Sequence, residues 1–344
     1  MPATIREVAQ AAGVSRTAVS KVLHGKGNGV RVSPQKAAAI REIAEKLNYK
    51  PNALARSLLT GRTHTVGLLF EHLTNISGGP LYYVHLFDGV ASALFNNEYR
   101  LTILPKLDHD NVMDSLGDGQ LEGIVWCKLT RDEEAIRIIH ESPIPIVAMN
   151  ALAPDTPSEA IFISCDNDGG MDLAVEHLWE MGHRKILFAH EGEERATPDC
   201  MARLEGFTKA MAKRTNGEYG GTVLEWDWHG YNFKDWWAGQ PEETAIICWT
   251  ERFAGSLLQR AAEIGVSVPN QLSVIGFDST QYCETTSPRL TCVRQPIYDM
   301  AKCAGETLLA MIRGNRPQSQ SLIFPCTFDV RDSTAKPLKA EHQP

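Results

Sequence analysis

No stretch of the 344 residues is long and apolar enough to cross a bilayer: the longest apolar runs, such as Val66 to Phe70, are strand-sized, against the roughly 20 residues a span needs. The first residues lack a secretory signal's apolar core, because Arg6, Glu7 and Arg16 interrupt them, so the chain is expected to stay in the cytosol, off any membrane. The eight cysteines include no C-x-x-C pair, and no histidine stands at zinc-ligand spacing; they read as reduced, mostly buried thiols, with no metal site expected. Neither a G-x-S-x-G elbow nor an H-E-x-x-H pair is present, and nothing in the pattern calls for a cofactor or for catalysis. Gly25 to Gly29 has no strand before it and no G-K-[ST] ending, so it reads as a loop and not a phosphate cradle. Asp166-Asn167-Asp168-Gly169 starts like a calcium loop but lacks the later ligands, and fits a helix cap. What remains, at 43% hydrophobic and 22% charged residues, is a globular composition long enough for two or three domains.

The net charge of -8 conceals an asymmetry. Residues 1 to 62 hold eleven Lys or Arg against three acids, while the rest holds 23 basic against 39 acidic residues. A basic head on an acidic body points to a polyanion as the head's partner, or to a merely solvated basic face; the local pattern decides. Thr4-Ile5-Arg6-Glu7 is a capping box, and Ile5, Val8, Ala9 and Ala12 follow at the spacing of a buried helical stripe that Gly13 ends. Ser15 caps a second helix through Leu23 that turns Ala18, Val19 and Val22 inward. Two short helices across a tight glycine turn make a helix-turn-helix. Arg16, Thr17, Ser20 and Lys21 lie off the buried face, where a recognition helix presents donors and a methyl group to the major groove. Ser33-Pro34 caps a third helix with Ala37, Ile40, Ile43, Ala44 and Leu47 as its core stripe.

With Asn48-Tyr49, Pro51-Asn52, Ala55 and Leu58 added to Val8-Ala9, Ala12-Gly13-Val14-Ser15 and Val19-Ser20, the chain resembles the lactose-repressor (LacI/GalR) family of bacterial transcription regulators. The likeness covers essentially the whole chain, apart from a slightly longer glycine loop. It implies operator contacts from Thr4, Ser15, Arg16, Thr17, Ser20, Lys21, His24, Tyr49, Asn52, Ala55 and Leu58. It also implies a hinge helix from Pro51, two of which enter the minor groove in a homodimer, each inserting Leu58 as a wedge that kinks a near-palindromic double-stranded operator. So short a helix should order only on DNA. Lys21 and His24 replace the family's frequent Arg and Asn, and Lys cannot give Arg's bidentate contact to guanine.

Beyond Thr63, strand-like runs (Thr65 to Phe70, Leu101 to Pro105, Gly123 to Cys127, Pro145 to Met149, Lys185 to His190, Thr222 to Trp226, Ala245 to Trp249, Ser273 to Phe277) alternate with amphipathic segments over a length that suits two doubly wound parallel sheets. The resemblance arranges them as an α/β body of two periplasmic-binding-protein-like lobes behind an all-α head. The expected organisation is a helix-turn-helix domain 1–50, a hinge helix 51–62, an N-terminal lobe 63–163 and 294–324, a C-terminal lobe 164–293 and 325–332, and a flexible tail 333–344. The tail has no leucine heptads for a coiled coil.

Ligands of such sheets sit at strand carboxyl ends, here between the lobes. That selects Asn150, Thr250, Glu251 and Asp278, with Tyr82, Trp226 and Trp228 able either to stack on a sugar or to pack in the core. Arg203 opens the family's R-x-x-G-[FW] signature, and Asp278 matches its ligand-binding Asp; the two could instead bridge lobes or cap helices. Thr250-Glu251 stands where the family has Asn-Asp, and Ile76 to Pro80 lengthens the loop after the first strand. The expected function is an effector-controlled repressor of carbohydrate-utilisation genes, its small-molecule effector a sugar or sugar derivative. The rival is a cytosolic sugar-binding protein or enzyme on the same two-lobed fold.

Overall fold

In the computed structural model, residues 3–24, 30–50, 57, 61–70, 81–104, 116–127, 133–151, 153, 158–192, 197–226 and 231–338 are described, and the chain divides into two units, Met1–Thr63 and His64–Pro344. In the first, α1 (Ile5–Ala11) starts at the capping box: Thr4 Oγ1 accepts from the Glu7 amide, and the Glu7 carboxylate accepts from the Thr4 amide at 2.6 Å. Ser15 caps α2 (Arg16–His24) by accepting from the Ala18 amide, and Ser33 caps α3 (Pro34–Lys46) by accepting from that of Lys36. Val8, Ala9, Val19, Ile40 and Ala44 form the core, with Val14, Val22, Leu23, Ile43 and Tyr49 packed on it.

Leu47 corrects the expected stripe, being 38% exposed. The helix has stopped: Asn48 takes φ 49°, in the left-handed region where Asn is tolerated, and the Tyr49 amide donates back to the Ala44 carbonyl. The reversal turns Leu47 outward and brings Tyr49 onto the core in its place.

The second unit holds two six-stranded sheets. The first contains β1 (Thr65–Phe70), β2 (Arg100–Leu104), β3 (Gly123–Cys127), β4 (Ile146–Met149), β5 (Ile161–Cys165) and β11 (Ser321–Phe324), all parallel, in the order β11-β5-β4-β3-β1-β2. The second contains β6 (Ile186–Glu191), β7 (Thr222–Trp226), β8 (Ala245–Cys248), β9 (Ser273–Asp278), β10 (Thr291–Arg294) and β12 (Thr327–Asp329), in the order β12-β10-β9-β8-β6-β7, with only β12 antiparallel. Period-two alternation splits the first sheet's core. Val125, Cys127, Val147, Met149, Ile161 and Ile163 join one apolar cluster, while Ile124, Trp126, Ile146, Ala148 and Phe162 join another. The first face carries α4 (Leu81–Phe95) and α10 (Ile297–Ile312), which cross closely because Gly89 lacks a side chain: a Cβ there would come within 2.6 Å of Ala301 Cβ. The other face carries α5 (Glu133–Glu141).

The chain leaves the first sheet after Cys165 into α6 (Asn167–Met181), returns after Arg294, and leaves again between Phe324 and Thr327. The second sheet is flanked by α6, α7 (Pro198–Arg214), α8 (Tyr231–Ala238) and α9 (Glu251–Glu263), with a 3-10 turn at Gln281–Glu284. The expected flexible tail is corrected over residues 333–338. Ser333 is wholly buried; its hydroxyl donates to the Val274 carbonyl and accepts from the Thr291 amide, tying β9 to β10, and Ala335 exchanges bonds with Ser273 and His183. No helix among the described residues is long and apolar enough to cross a membrane.

Candidate functional site

On α2, Arg16 and Thr17 are exposed and Ser20 and Lys21 half-buried, one to five residues apart and therefore on one helical face. Among the described residues these four side chains make no hydrogen bond or ion pair, which leaves their donors available to a partner. Thr4 and Ser15 are differently placed: their hydroxyls are engaged as helix caps. Tyr49 lies against the head's core, where burial raises its phenol above the usual range. The His24 side chain and Asn52, Ala55 and Leu58 lie outside the described residues. Ser57 sits in a helical turn, its carbonyl accepting from the Gly61 amide at 2.8 Å.

Where the linker meets the body, His64 takes φ 53° and is anchored. Its amide donates to Glu122 Oε1 at 2.8 Å, and its ring lies 5.1 Å from that of Tyr99, whose hydroxyl donates to Glu122 Oε2. Sequence patterning did not single out Glu122 or Tyr99.

Between the sheets the structure brings four of the expected effector residues together through one the sequence did not single out. Tyr82, near the start of α4, donates to Asn150 Oδ1 at 2.7 Å; Asn150 Nδ2 donates to Gln295 Oε1 at 3.4 Å; Gln295 Nε2 donates to Asp278 Oδ1 at 2.6 Å; and that oxygen lies 3.4 Å from Arg203 Nη2. Asn150 and Tyr82 belong to the first lobe, Asp278 and Arg203 to the second, and Gln295 to the segment that crosses between them. All five are buried. Asn150 (φ 50°) and Asp278 (φ 110°) occupy the left-handed half of backbone space immediately after β4 and at the end of β9, a strain that turns both side chains off their strands.

Arg203 is 1% exposed on α7. Its Nε donates to Asn167 Oδ1 at 3.2 Å and its Nη1 to the Trp249 carbonyl at 2.6 Å, and its guanidinium lies 3.8 Å from the centroid of the Phe277 ring. Nη2 makes no hydrogen bond among the described residues and has only ion-pair contacts, to Asp278 and, at 3.8 Å, to Asp199. Burial works against the charge, but the two carboxylates outweigh it and raise the guanidinium's pKa. They also reach Tyr82: burial, with the Cys127 thiol and then Asp199 and Asp278 adding to it, pushes that phenol well above its usual range.

The remaining candidates are placed elsewhere. Trp226 is buried in an aromatic cluster with Phe233, Trp236 and Phe253, ring centroids 5.6–6.2 Å apart, and so belongs to the core. Thr250 caps α9 through the Phe253 amide, and Glu251 accepts from the Thr280 amide and hydroxyl and from the Cys283 thiol. Trp228 and the Ile76 to Pro80 loop lie outside the described residues. Asp166 caps α6 through the Gly169 amide.

Three family models together match nearly the whole chain: "Bacterial regulatory proteins, lacI family" over residues 4–52, "Periplasmic binding proteins and sugar binding domain of LacI family" over 63–218, and "Periplasmic binding protein-like domain" over 175–334. The chain is 27% identical over 343 residues to catabolite control protein A of Priestia megaterium, covering 97% of this chain and all of that one. It is 29% identical over 350 residues to the HTH-type transcriptional repressor PurR of Vibrio vulnificus, covering 97% and 99%. These relatives are transcriptional regulators and not enzymes. In fold it is similar to the lac repressor dimer bound to operator and the anti-inducer ONPF, with a TM-score of 0.82 at 20% identity over 97% of this chain and all of that one.

Proposed function

The chain belongs to the lacI family of bacterial regulatory proteins, and from that premise we propose that it represses carbohydrate-utilisation genes, as a homodimer on a near-palindromic operator. A sugar or sugar derivative held between the lobes controls that binding. The single observation that carries the sensor half is the buried bond series from Tyr82 through Gln295 to Arg203, which spans both lobes. Its amide, carboxylate and phenol groups match the paired donors and acceptors of vicinal hydroxyls, and Arg203 Nη2 is a donor with hydrogen-bonding capacity left.

On DNA, Arg16, Thr17, Ser20 and Lys21 read base edges in half-sites about one helical turn apart, because a two-fold dimer repeats its recognition helices at that spacing. Leu58 serves as the minor-groove wedge. A ligand moves this equilibrium only through different affinities for two lobe arrangements. An effector that replaces the Asn150–Gln295 bond, the longest hydrogen bond in the series at 3.4 Å, selects another lobe angle. That change reaches the linker through the first lobe, where Glu122 holds His64.

The test is a titration of the dimer on operator candidates selected from random duplexes, at two salt concentrations, repeated with a panel of sugars. Sequence-specific, salt-sensitive binding that one sugar shifts is the expected result. Equal affinity for random and selected DNA would refute the reading.

A further inference from the structure

We propose that Glu251, Cys283 and Cys292 bind a thiophilic divalent cation, zinc(II) by their chemistry, in the wall behind Asp278. The three residues come from the first turn of α9, the 3-10 turn and β10. All three are buried, and their ligand atoms lie within 4.8 Å of one another. A tetrahedral zinc ion with bonds of about 2.3 Å to sulfur and 2.0 Å to oxygen holds its ligand atoms about 3.5 to 3.8 Å apart, so no pair in the cluster need close by more than about 1.3 Å. Two thiolates and one carboxylate are a donor set that suits zinc and excludes magnesium and calcium, which take oxygen.

Two further observations favour a cation here. Glu251 is 2% exposed, yet among the described residues no Lys, Arg or His comes within ion-pair reach of its carboxylate, although buried carboxylates ordinarily require a cation. Its position at the start of α9 supplies only the partial charge of a helix terminus. The carboxylate is also already oriented: Oε2 accepts from the Thr280 amide at 2.6 Å and Oε1 from the Thr280 hydroxyl at 2.5 Å, the kind of outer donors that fix a metal-ligating carboxylate. Cys283 Sγ donates to Glu251 Oε2 at 3.2 Å, a bond the ion replaces. Burial, and then the neighbouring Cys283, push the Cys292 thiol up. Uptake releases two protons to solvent and leaves Zn(SR)2(carboxylate) with a formal charge of -1.

The ion would stiffen the Asp278–Thr280 loop, since Glu251 holds Thr280 and Asp278 lies two residues away. Binding itself does not depend on the effector reading, and neither does its test.

Reduced, chelator-treated full-length protein is refolded with cobalt(II), a coloured substitute for zinc. The expected result is one equivalent bound, with a sulfur-to-cobalt charge-transfer band and the intense visible bands of a tetrahedral ion, all removed by zinc. Cys292→Ser abolishes the charge-transfer band or halves it, Glu251→Gln weakens zinc at least about tenfold, and Cys303→Ser, on the half-exposed side of α10, changes nothing. Absence of the band in the wild type overturns the proposal, as does its survival at full intensity in Cys292→Ser. So does a thiol count two short of eight under denaturing, non-reducing conditions, which would mean a Cys283–Cys292 disulfide. Should Cys292→Ser fail to fold, zinc-edge X-ray absorption on the wild type decides: two sulfur neighbours support the site, and none or one overturns it.

Discussion

In the head, the side chains of Arg16, Thr17, Ser20 and Lys21 make no hydrogen bond or ion pair among the described residues; between the lobes, the corresponding side chains are buried and bonded to one another. Arg16 and Lys21 have no ion pair among the described residues, whereas Arg203 touches Asn167, Trp249, Asp278, Asp199 and Phe277. The difference follows from the ligands. DNA phosphates and base edges are met at the surface, where an unpaired cation is cheaply solvated, and released counterions supply the affinity. The small neutral ligand proposed for the cleft would be met among buried side chains, where an unpaired cation would cost several kcal/mol, so the residues there must satisfy one another without it. Substitution should therefore weaken folding between the lobes and weaken only binding in the head.

The largest effect tests the buried side. Arg203→Ala leaves Asp278 and Asp199 facing each other without their cation, and breaking a buried pair from one side costs about 3 to 5 kcal/mol. Urea unfolding should show that loss, while Arg203→Lys recovers part of it. A loss below about 1 kcal/mol would mean that the carboxylates are solvated, and the contrast with the head would fail.

Lys21→Ala is the converse. It should cost about 1 to 3 kcal/mol on the best operator and much less on random DNA. The unfolding midpoint should not move, because the Lys21 side chain makes no hydrogen bond or ion pair among the described residues. An unfolded head would show that Lys21 is structural after all.

How much of this was legible depends on what carried the signal. The caps at Thr4, Ser15 and Ser33 and eight of the twelve strands were readable because each rests on a local pattern, a hydroxyl three residues before an amide or an apolar run between turns, whereas β5, β10, β11 and β12 were not named as strands. Leu47 misled because helical periodicity has no knowledge of where the left-handed Asn48 ends the helix. The segment after Arg331 looked like a tail because Ser333 is polar and Pro337 follows; only the tertiary structure shows its hydroxyl serving two strands. Gln295 was missed for a related reason. A lone Gln after a short strand has no motif, and its role exists only where both lobes meet. Glu251, Cys283 and Cys292 escaped zinc-spacing rules because three separate elements supply them.

Gln295→Leu sharpens the comparison at the point where the lobes join. It keeps the side chain's bulk but removes the donor to Asp278 and the acceptor for Asn150, at an expected cost of about 1 to 2 kcal/mol in urea unfolding. Its more telling consequence is for coupling. Without the bridge, the effector's influence on operator affinity should shrink while operator affinity in its absence stays near the wild-type value. Unchanged coupling would remove Gln295 from the path between lobes.

The smallest effect concerns acidity and again separates body from head. His183 is clamped between the Thr244 hydroxyl and the Ala335 carbonyl, 2.7 and 2.8 Å from its ring nitrogens, and so helps pin residues 333–338. Burial lowers its pKa, against the Ala335 carbonyl, which raises it, while His177 and Arg184 lower it further; burial also lowers that of His177, against Glu180. A histidine whose folded pKa lies below its unfolded value, about 6.5, binds fewer protons when folded. Its stabilisation is present above that value and is lost as pH falls toward the folded pKa. The body's urea midpoint should therefore drop between about pH 7 and 5. His183→Gln, which can still bond both partners, should flatten the slope and leave the His177 share. Over the same interval the capping box should persist, because the Thr4 amide, then the Thr4 hydroxyl, holds the Glu7 carboxyl below the usual range and keeps it ionised. A body midpoint that rises on acidification would show that His183 gains more from its carbonyl partner than it loses by burial.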